Sequence, residues 1–287
     1  MKWSDFSKLI KLRLTFLVVF SASISFLIGS KVNGHIVWTN WLMLIVGGFL
    51  VTAAANCFNE IIEKDLDKLM KRTMDRPIPA GRMTTGQALV LGLFMAMAGT
   101  YLLGRLNLTT GYLSVFSILL YAFAYTPLKR KSPIAVFVGA IPGALPPLIG
   151  YVAAHEKIDA IALILFGIQF IWQFPHFWAI AWVLDDDYKL AGFRLLPSGK
   201  RNLTSAVVTF IFTLILIPVS LLPTLYGYGG YYVGGVSLLC SLVFLYLAFM
   251  LLRNLEISSA KKLMYGSFIY LPVVQLMFLF DFIGKVK

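Results

Sequence analysis

The 287-residue chain is too apolar for a soluble globular protein. Its residues are 59% hydrophobic and 13% charged, against roughly 25% charged in soluble domains. The formal net charge of +12 would suit a nucleic-acid-binding protein, but membrane topology explains it without that function, so no nucleic-acid partner is expected. Cys57 and Cys240 lie in apolar segments without metal-ligand spacing, which excludes a disulfide framework.

Apolar segments of about 20 residues recur along the chain, long enough to cross a bilayer core of about 30 Å. We predict nine membrane-spanning helices in an all-α membrane protein, at residues 14–30, 38–58, 85–104, 109–126, 133–153, 158–184, 203–224, 231–252 and 265–284. Prolines interrupt the fifth, where neighbouring helices would have to satisfy the freed backbone groups. Because no polar linker separates the segments, we expect a single domain over residues 1–287.

The distribution of basic residues orients these helices. With the N-terminus inside, the inner loops contain all 25 lysines and arginines except Lys31, Arg105, Lys157, Lys285 and Lys287. This asymmetry follows the positive-inside rule and predicts a cytoplasmic N-terminus and an outer C-terminus. A cleaved signal peptide is disfavoured, because removing the first span would break the alternation.

Acidic and basic side chains follow the second apolar run. Asn59, Glu63 and Asp67 recur every four residues, so they share one face if the helix continues through them. Three oxygen-bearing side chains suit Mg²⁺, and Arg72 and Arg76 just beyond suit a phosphate. The segment therefore predicts a binding site for a metal-bridged diphosphate. Solvated surface pairing is the alternative, and the regular spacing disfavours it.

A second acidic cluster, Asp185-Asp186-Asp187, precedes Tyr188 and further basic residues at the end of the sixth span. Both clusters are followed by basic residues and then by Pro-x-Gly, which indicates a duplicated unit. On the same membrane side, the two clusters could bind metal ions on opposite sides of one diphosphate. Adjacent aspartates on a helix point about 100° apart, so one or two of them would suffice.

A third inner loop places Tyr125 just inside the membrane and Lys129 and Arg130 just outside it. The two cations are candidates to face the diphosphate. The positive-inside rule alone explains these two cations equally well, without any role in binding.

The sixth span contains polar groups that are costly in lipid: Gln169, Gln173 and His176. They should face the bundle interior or a cavity. His176 follows a proline and could simply bond freed carbonyls, or it could ligate a tetrapyrrole iron or accept a proton. Trp172 and Phe177 could stabilise a carbocation, although packing is the more common role of aromatic residues in spans.

Several of these blocks together resemble the UbiA superfamily of intramembrane prenyltransferases, and within it the subfamily that farnesylates heme b. The first is Asn59-x3-Glu63-x3-Asp67-x4-Arg72-Thr73-x2-Arg76-Pro77. The others are Tyr125-Thr126-Pro127-x-Lys129-Arg130, Gly139-x3-Gly143-Ala144-x-Pro146-Pro147, Trp172-Gln173-x-Pro175-His176-Phe177 and Asp187-Tyr188-x2-Ala191-Gly192. The family usually has Asp where Glu63 stands. Within the second cluster, Asp187 is the favoured metal ligand.

The resemblance implies a nine-helix UbiA-type bundle that transfers a farnesyl group from farnesyl diphosphate to the 2-vinyl group of heme b, giving heme O, with Mg²⁺ as cofactor. Its catalytic residues would be Asn59, Glu63, Asp67, Arg72, Arg76, Lys129, His176, Asp187 and Tyr188. The substrate-binding residues would be Arg72, Arg76, Lys129, Arg130, Tyr125, Trp172, His176 and Phe177, and the metal ligands Asn59, Glu63, Asp67 and Asp187. The expected location is the bacterial inner membrane, with the active site facing the cytoplasm. The lipid bilayer surrounds the protein, and a downstream heme A synthase or terminal oxidase assembly is a further expected partner.

Three alternative functions remain open from the sequence. An aromatic-acceptor prenyltransferase would make a quinone precursor. A secondary transporter for an anion would place polar groups near the membrane midplane, whereas here they cluster at one face. A heme-binding assembly protein would have no need of Asp67.

Overall fold

The structure, a computed structural model, describes residues 2–284, so Lys285 and Lys287 of the predicted outer end lie outside the described residues. Within this range the chain is helical apart from its loops and an isolated bridge between Gly229 and Phe282. The helices are α1 (Trp3–Leu9), α2 (Leu12–Asn33), α3 (Trp38–Asp67), α4 (Thr85–Leu106), α5 (Leu108–Leu119), α6 (Thr126–Leu128), α7 (Ala135–His155), α8 (Ala160–Val183), α9 (Asp185–Leu190), α10 (Leu203–Leu225), α11 (Tyr231–Asn254) and α12 (Ile257–Phe280).

Over residues 2–284, nine helical segments are long and apolar enough to cross a membrane. They are α2, α3, α4, the continuous segment Leu108–Leu128, α7, α8, α10, α11 and α12. The predicted nine-span, all-α architecture is confirmed. The direction in which the termini face and the single-domain assignment stay predictions.

Most predicted span boundaries lie within four residues of the structure, and two differ by more. The second helix does not stop at residue 58 but continues as α3 to Asp67, the condition under which Asn59, Glu63 and Asp67 share a face. The last helix begins at Ile257 rather than at residue 265. Lys261 and Lys262 marked that region as loop in the sequence, yet both lie exposed in the first turns of α12, where long basic side chains reach the interface.

The spanning helices form two packed groups that meet at α2, α7, α8 and α12. In one group α2 packs on α7 and α3 packs on α4, while in the other α8 packs on α10 and α12. Helix α7 is continuous although Pro142, Pro146 and Pro147 lie within it. Its contact with α2 depends on small residues: a Cβ at Gly29 would lie 2.8 Å from the carbonyl oxygen of Tyr151, so the backbones approach closely there.

A buried polar cluster joins the two groups inside the bundle. Ser21 on α2 donates to Gln169 Oε1 on α8 over 2.7 Å, and Gln275 on α12 donates to both over 2.8 and 3.0 Å. Gln169 also donates to the carbonyl of Gly143 on α7 over 2.6 Å. These bonds satisfy groups that would be costly in lipid. They fix the relative positions of four spans and confirm that Gln169 faces the interior.

Candidate active site

The predicted row of oxygen-bearing side chains lies on one face of α3, at its last two turns. Asn59, Glu63 and Asp67 are all buried, and Asn59 Nδ2 donates to Glu63 Oε2 over 2.9 Å. Each position is four residues from the next, so the side chains stack along the helix. The continuation of α3 past the apolar stretch therefore produces the arrangement that the spacing predicts.

Each member of this row is paired with a cation from a different segment. Lys11, between α1 and α2, donates to Asn59 Oδ1 over 2.6 Å. Lys129, after α6, forms an ion pair with Glu63.

The third pair joins Arg76, in the loop after α3, to Asp67 Oδ2 over 2.6 Å. Thr73 in the same loop donates to the Asp67 carbonyl oxygen over 3.0 Å. Because charge-assisted hydrogen bonds in a low dielectric are strong, these contacts hold the loop and the row together.

A π-helical turn fixes the orientation of the Asn59 amide. Residues Leu120–Tyr125 form this turn between α5 and α6, where Pro127 removes a backbone donor. Thr126 accepts from Asn59 Nδ2 over 3.0 Å and donates to the Tyr121 carbonyl oxygen over 2.8 Å. With Nδ2 engaged by Glu63 and Thr126, Oδ1 is the atom that faces Lys11. π-turns of this kind are frequent at functional sites.

The row forms one wall of a cavity of about 230 Å³. The basic residues that pair with the row also line the cavity, and so does Arg72. The Arg72 guanidinium lies 5.9 Å from the centre of the Tyr188 ring. The apolar lining of the cavity comes mainly from the π-turn, α7, α8 and the loop after α9, and it comprises Leu14, Met70, Tyr121, Tyr125, Val136, Phe177, Ile180, Phe193 and Leu195. Cationic and aromatic side chains thus line the same cavity, with Lys129 Nζ 5.0 Å from the centre of the Tyr125 ring, and this combination suits an anionic head group on an unsaturated hydrocarbon.

Burial perturbs the pKa of the two lysines that line this cavity, both of which lie outside the spans. It lowers the pKa of Lys11, and the positive charges of Arg76 and Lys129 lower it further. Burial also lowers the pKa of Lys129, although the adjacent Glu63 carboxylate opposes that change. Both shifts have the same origin: the ammonium group is desolvated among other cations. A bound anion would relieve this repulsion.

The three aspartates of the second cluster have different contacts, although Arg201 lies within 3.7 Å of Asp185 as well as pairing with Asp186. Asp185 pairs with Lys189 over 2.6 Å, and the exposed Asp186 pairs with Arg201 over 2.9 Å. Asp187 Oδ1 accepts from the backbone N–H of Lys71 over 2.9 Å. Of the three, Asp187 is therefore the one joined to the loop that carries Arg72 and Arg76.

His176 lies outside the cavity lining, between α8 and α12. Its Nδ1 is 2.7 Å from Ser267 Oγ, and that hydroxyl donates to the Met264 carbonyl oxygen over 2.5 Å. Since the serine hydrogen is already used, the neutral imidazole must donate from Nδ1, which leaves a lone pair on Nε2. The ring stacks on Trp172 with centroids 4.5 Å apart. His176 thus bonds a neighbouring helix and not a carbonyl freed by Pro175.

The cavity brings together nine of the residues singled out in the sequence and leaves four others outside its lining. Asn59, Glu63, Asp67, Arg72, Arg76, Tyr125, Lys129, Phe177 and Tyr188 line it. Asp187 lies beside it, His176 and Trp172 occupy the α8–α12 contact, and Arg130 is exposed.

Sequence reasoning missed Lys11, Tyr121 and Thr126 as site residues. Lys11 had been counted only as an inner-loop charge. The Thr126-Pro127 pair that ends a span was a local signal for the π-turn, but its contact with Asn59 depends on the tertiary fold.

The donor set fits a hard divalent cation. Asp67 Oδ1 and Asp187 Oδ2 are buried and have no hydrogen-bond partner within residues 2–284, which is costly unless a cation satisfies them. Over the same residues, no group of three His, Cys, Asp or Glu side chains is close enough to hold an ion without other ligands. Mg²⁺ commonly uses one or two carboxylates together with water and substrate phosphates, so this sparse set is compatible with it.

Comparison with known proteins identifies the family. Residues 18–272 match the UbiA prenyltransferase family. The chain belongs to this family. A UbiA-type relative from Cytophaga hutchinsonii, named protoheme IX farnesyltransferase, is 44% identical over 282 residues, covering 98% of each chain.

Solved UbiA-type structures share the fold. Digeranylgeranylglyceryl phosphate synthase matches with a TM-score of 0.81 at 21% identity, covering 97% of each chain. A UbiA homolog from Archaeoglobus fulgidus bound to GPP and Mg²⁺ matches with a TM-score of 0.68 at 10% identity, covering 96% of this chain and 99% of that one. The protein described here is accordingly a multi-pass membrane protein with the UbiA prenyltransferase fold.

Proposed function

We propose that this protein transfers a farnesyl group from farnesyl diphosphate to the 2-vinyl group of heme b, producing heme O. The observation that carries the proposal is the 44% identity, over 98% of both chains, to a protein named protoheme IX farnesyltransferase. The cavity supports the same chemistry, because the cationic and aromatic side chains that line it together suit a prenyl diphosphate.

The reaction begins with cleavage of the allylic C–O bond, and the bonding electrons leave with the diphosphate. Arg72, Arg76 and Lys129 would bind the developing negative charge, which preorganised cations stabilise strongly. Mg²⁺ held by Asn59, Glu63, Asp67 and Asp187 would add Lewis-acid stabilisation of the same leaving group. Use of this metal is supported by the buried, unpartnered oxygens of Asp67 and Asp187 within the described residues.

The allylic cation then needs protection from water until the vinyl group attacks. Tyr125, Phe177 and Tyr188 line the cavity, and their π faces can stabilise a cation. The vinyl π electrons form the new C–C bond, which moves the positive charge to the carbon next to the porphyrin. Water adds there and loses a proton, giving the hydroxyethylfarnesyl side chain.

Heme b would bind beside this cavity, where α8 packs on α12. His176, stacked on Trp172, presents an unprotonated Nε2 that could ligate the iron or accept the released proton. Arg130 is exposed next to Lys129 and is a candidate partner for a heme propionate. The site would face the cytoplasm of a bacterial inner membrane, with the N-terminus on that side, as the basic inner loops predict. A downstream heme A synthase or terminal oxidase assembly stays a predicted partner.

Mass spectrometry of hemes made by membranes containing this protein tests the proposal. With heme b, farnesyl diphosphate and Mg²⁺, we expect heme O, and we expect none when farnesyl diphosphate is omitted or Mg²⁺ is chelated. Parallel reactions with 4-hydroxybenzoate separate an aromatic-acceptor enzyme from a heme-specific one. Prenylation of 4-hydroxybenzoate without any heme O would overturn the proposed acceptor.

A further inference from the structure

Lys11 occupies a special backbone position at the entrance to the first spanning helix. It lies between α1 and α2 with φ 49° and ψ 56°, the left-handed region that non-glycine residues seldom adopt. Its N–H bonds to the Lys8 carbonyl oxygen over 3.1 Å, and its own carbonyl accepts from Thr15 over 3.1 Å. This turn directs the Lys11 side chain into the cavity.

Helix α1 anchors this turn on the loop that follows α3. Asp5 pairs with Arg82 over 2.8 Å, and Lys8 pairs with Asp75. The backbone of Lys11 is thus held from both sides, whereas its four-carbon side chain can rotate. The ammonium can change partners without any movement of α1 or α2.

The partner of Lys11 is the atom that a metal would use. Asn59 can bind a hard cation only through Oδ1, and Lys11 Nζ lies 2.6 Å from that oxygen. The amide cannot simply flip to move Oδ1 away from Lys11, because Nδ2 donates to Glu63 and Thr126. The ammonium of Lys11 and a metal ion therefore compete for one position.

We propose that Lys11 is a site residue that exchanges partners: it holds Asn59 Oδ1 in the metal-free protein and turns to the diphosphate when a metal ion takes that oxygen. This inference rests on the proposed prenyl diphosphate chemistry. The positive charges of Arg76 and Lys129 act on Lys11 and are opposed by the Glu63 and Asp67 carboxylates, so an incoming anion adds attraction at a position where cations are close together. The exchange makes metal binding dependent on the diphosphate that accompanies it.

Binding measurements on the purified full-length protein test this exchange through two opposite effects. For Lys11→Met, titration with Mg²⁺ alone should show affinity about tenfold tighter than wild type, since the competing ammonium is gone. Titration with inorganic pyrophosphate in saturating Mg²⁺ should show affinity about tenfold weaker, since one charge-assisted hydrogen bond is lost. Arg13→Met is the matched control, because Arg13 is exposed two residues away, and it should change neither affinity.

The opposite signs distinguish exchange from a purely structural role. A loss of both affinities in Lys11→Met, or a change in neither, would overturn the proposal. If Lys11→Met fails to fold, Lys11→Gln serves as the second variant, because it retains a donor to Asn59 Oδ1 without the charge. It should still bind Mg-pyrophosphate more weakly than wild type, and unchanged binding would overturn the exchange.

Heme analysis of the wild type keeps this test separate from the proposed acceptor. The expected binding pattern without heme O formation would overturn the acceptor and support the exchange. Heme O formation by the wild type, with neither affinity changed in Lys11→Met, would support the acceptor and overturn the exchange.

Discussion

Asp187 accepts a hydrogen bond from the backbone N–H of Lys71 over 2.9 Å, which joins α9 to the loop after α3. The two residues are far apart in sequence, and this bond brings both acidic clusters to the same end of the bundle. One oxygen of Asp187 is used in the bond, and the other is buried without a partner in the described range. The contact gives a physical reason to favour Asp187 over its two neighbours as a metal ligand.

Asp67→Asn should reduce heme O formation about 100-fold or more, because it removes a charge from the proposed metal and diphosphate site. The rate is measured with saturating heme b, farnesyl diphosphate and Mg²⁺. Asp65→Asn is the matched control, because Asp65 lies on the same helix but is exposed and pairs with Lys68 over 3.0 Å. Surface ion pairs of this kind contribute little to the stability of the fold. Equal activity of the two variants would contradict the metal assignment.

Asp187→Asn should raise the Mg²⁺ concentration needed for half-maximal activity by about tenfold, since the amide still fits but brings no negative charge. Asp186→Asn should leave it unchanged, because Asp186 is exposed and pairs with Arg201. The measurement is a Mg²⁺ titration of heme O formation. The reverse ranking would transfer the metal role to Asp186.

His176→Ala should lower both heme b affinity and heme O yield, by about tenfold in affinity, because it removes the free Nε2. Heme titration followed by absorbance spectroscopy measures the first effect and mass spectrometry the second. Ser267→Ala should have a smaller effect, since the imidazole remains but loses the partner 2.7 Å away that fixes its tautomer. Unchanged spectra and yield in His176→Ala would exclude both proposed roles.

Glu60 should position Arg76 through the backbone of its loop. Its fully buried carboxylate accepts from the N–H of Ile78 over 3.1 Å, two residues beyond Arg76. Glu60→Leu leaves that donor unpaired, which costs about 1–3 kcal/mol, and we expect a lower Tm and a higher KM for farnesyl diphosphate. Glu60→Gln retains an acceptor and should stay close to wild type in KM, so a Gln variant as impaired as the Leu variant would contradict this role.

Local patterns in the sequence were sufficient for the architecture and for part of the site. The four-residue spacing of Asn59, Glu63 and Asp67 predicted their shared face, because helix geometry alone fixes it. Their cations were harder to predict, since Lys11 and Lys129 reach the row only through the packing of α2 and the α5–α6 segment on α3. The start of α12 was misplaced because lysines in an interfacial helical turn look the same in sequence as lysines in a loop.

The N-terminal turn also matters for how the protein is handled in the laboratory. Helix α1 rests on the loop of Asp75 and Arg82 and sets the direction of Lys11, so an affinity tag or fluorescent fusion placed before it would lie close to the turn that carries this cavity residue. The end of α12 is at the other end of the bundle, where Lys31 of α2 donates to the Leu279 carbonyl oxygen. Fusions for purification and activity assays are therefore better placed after α12.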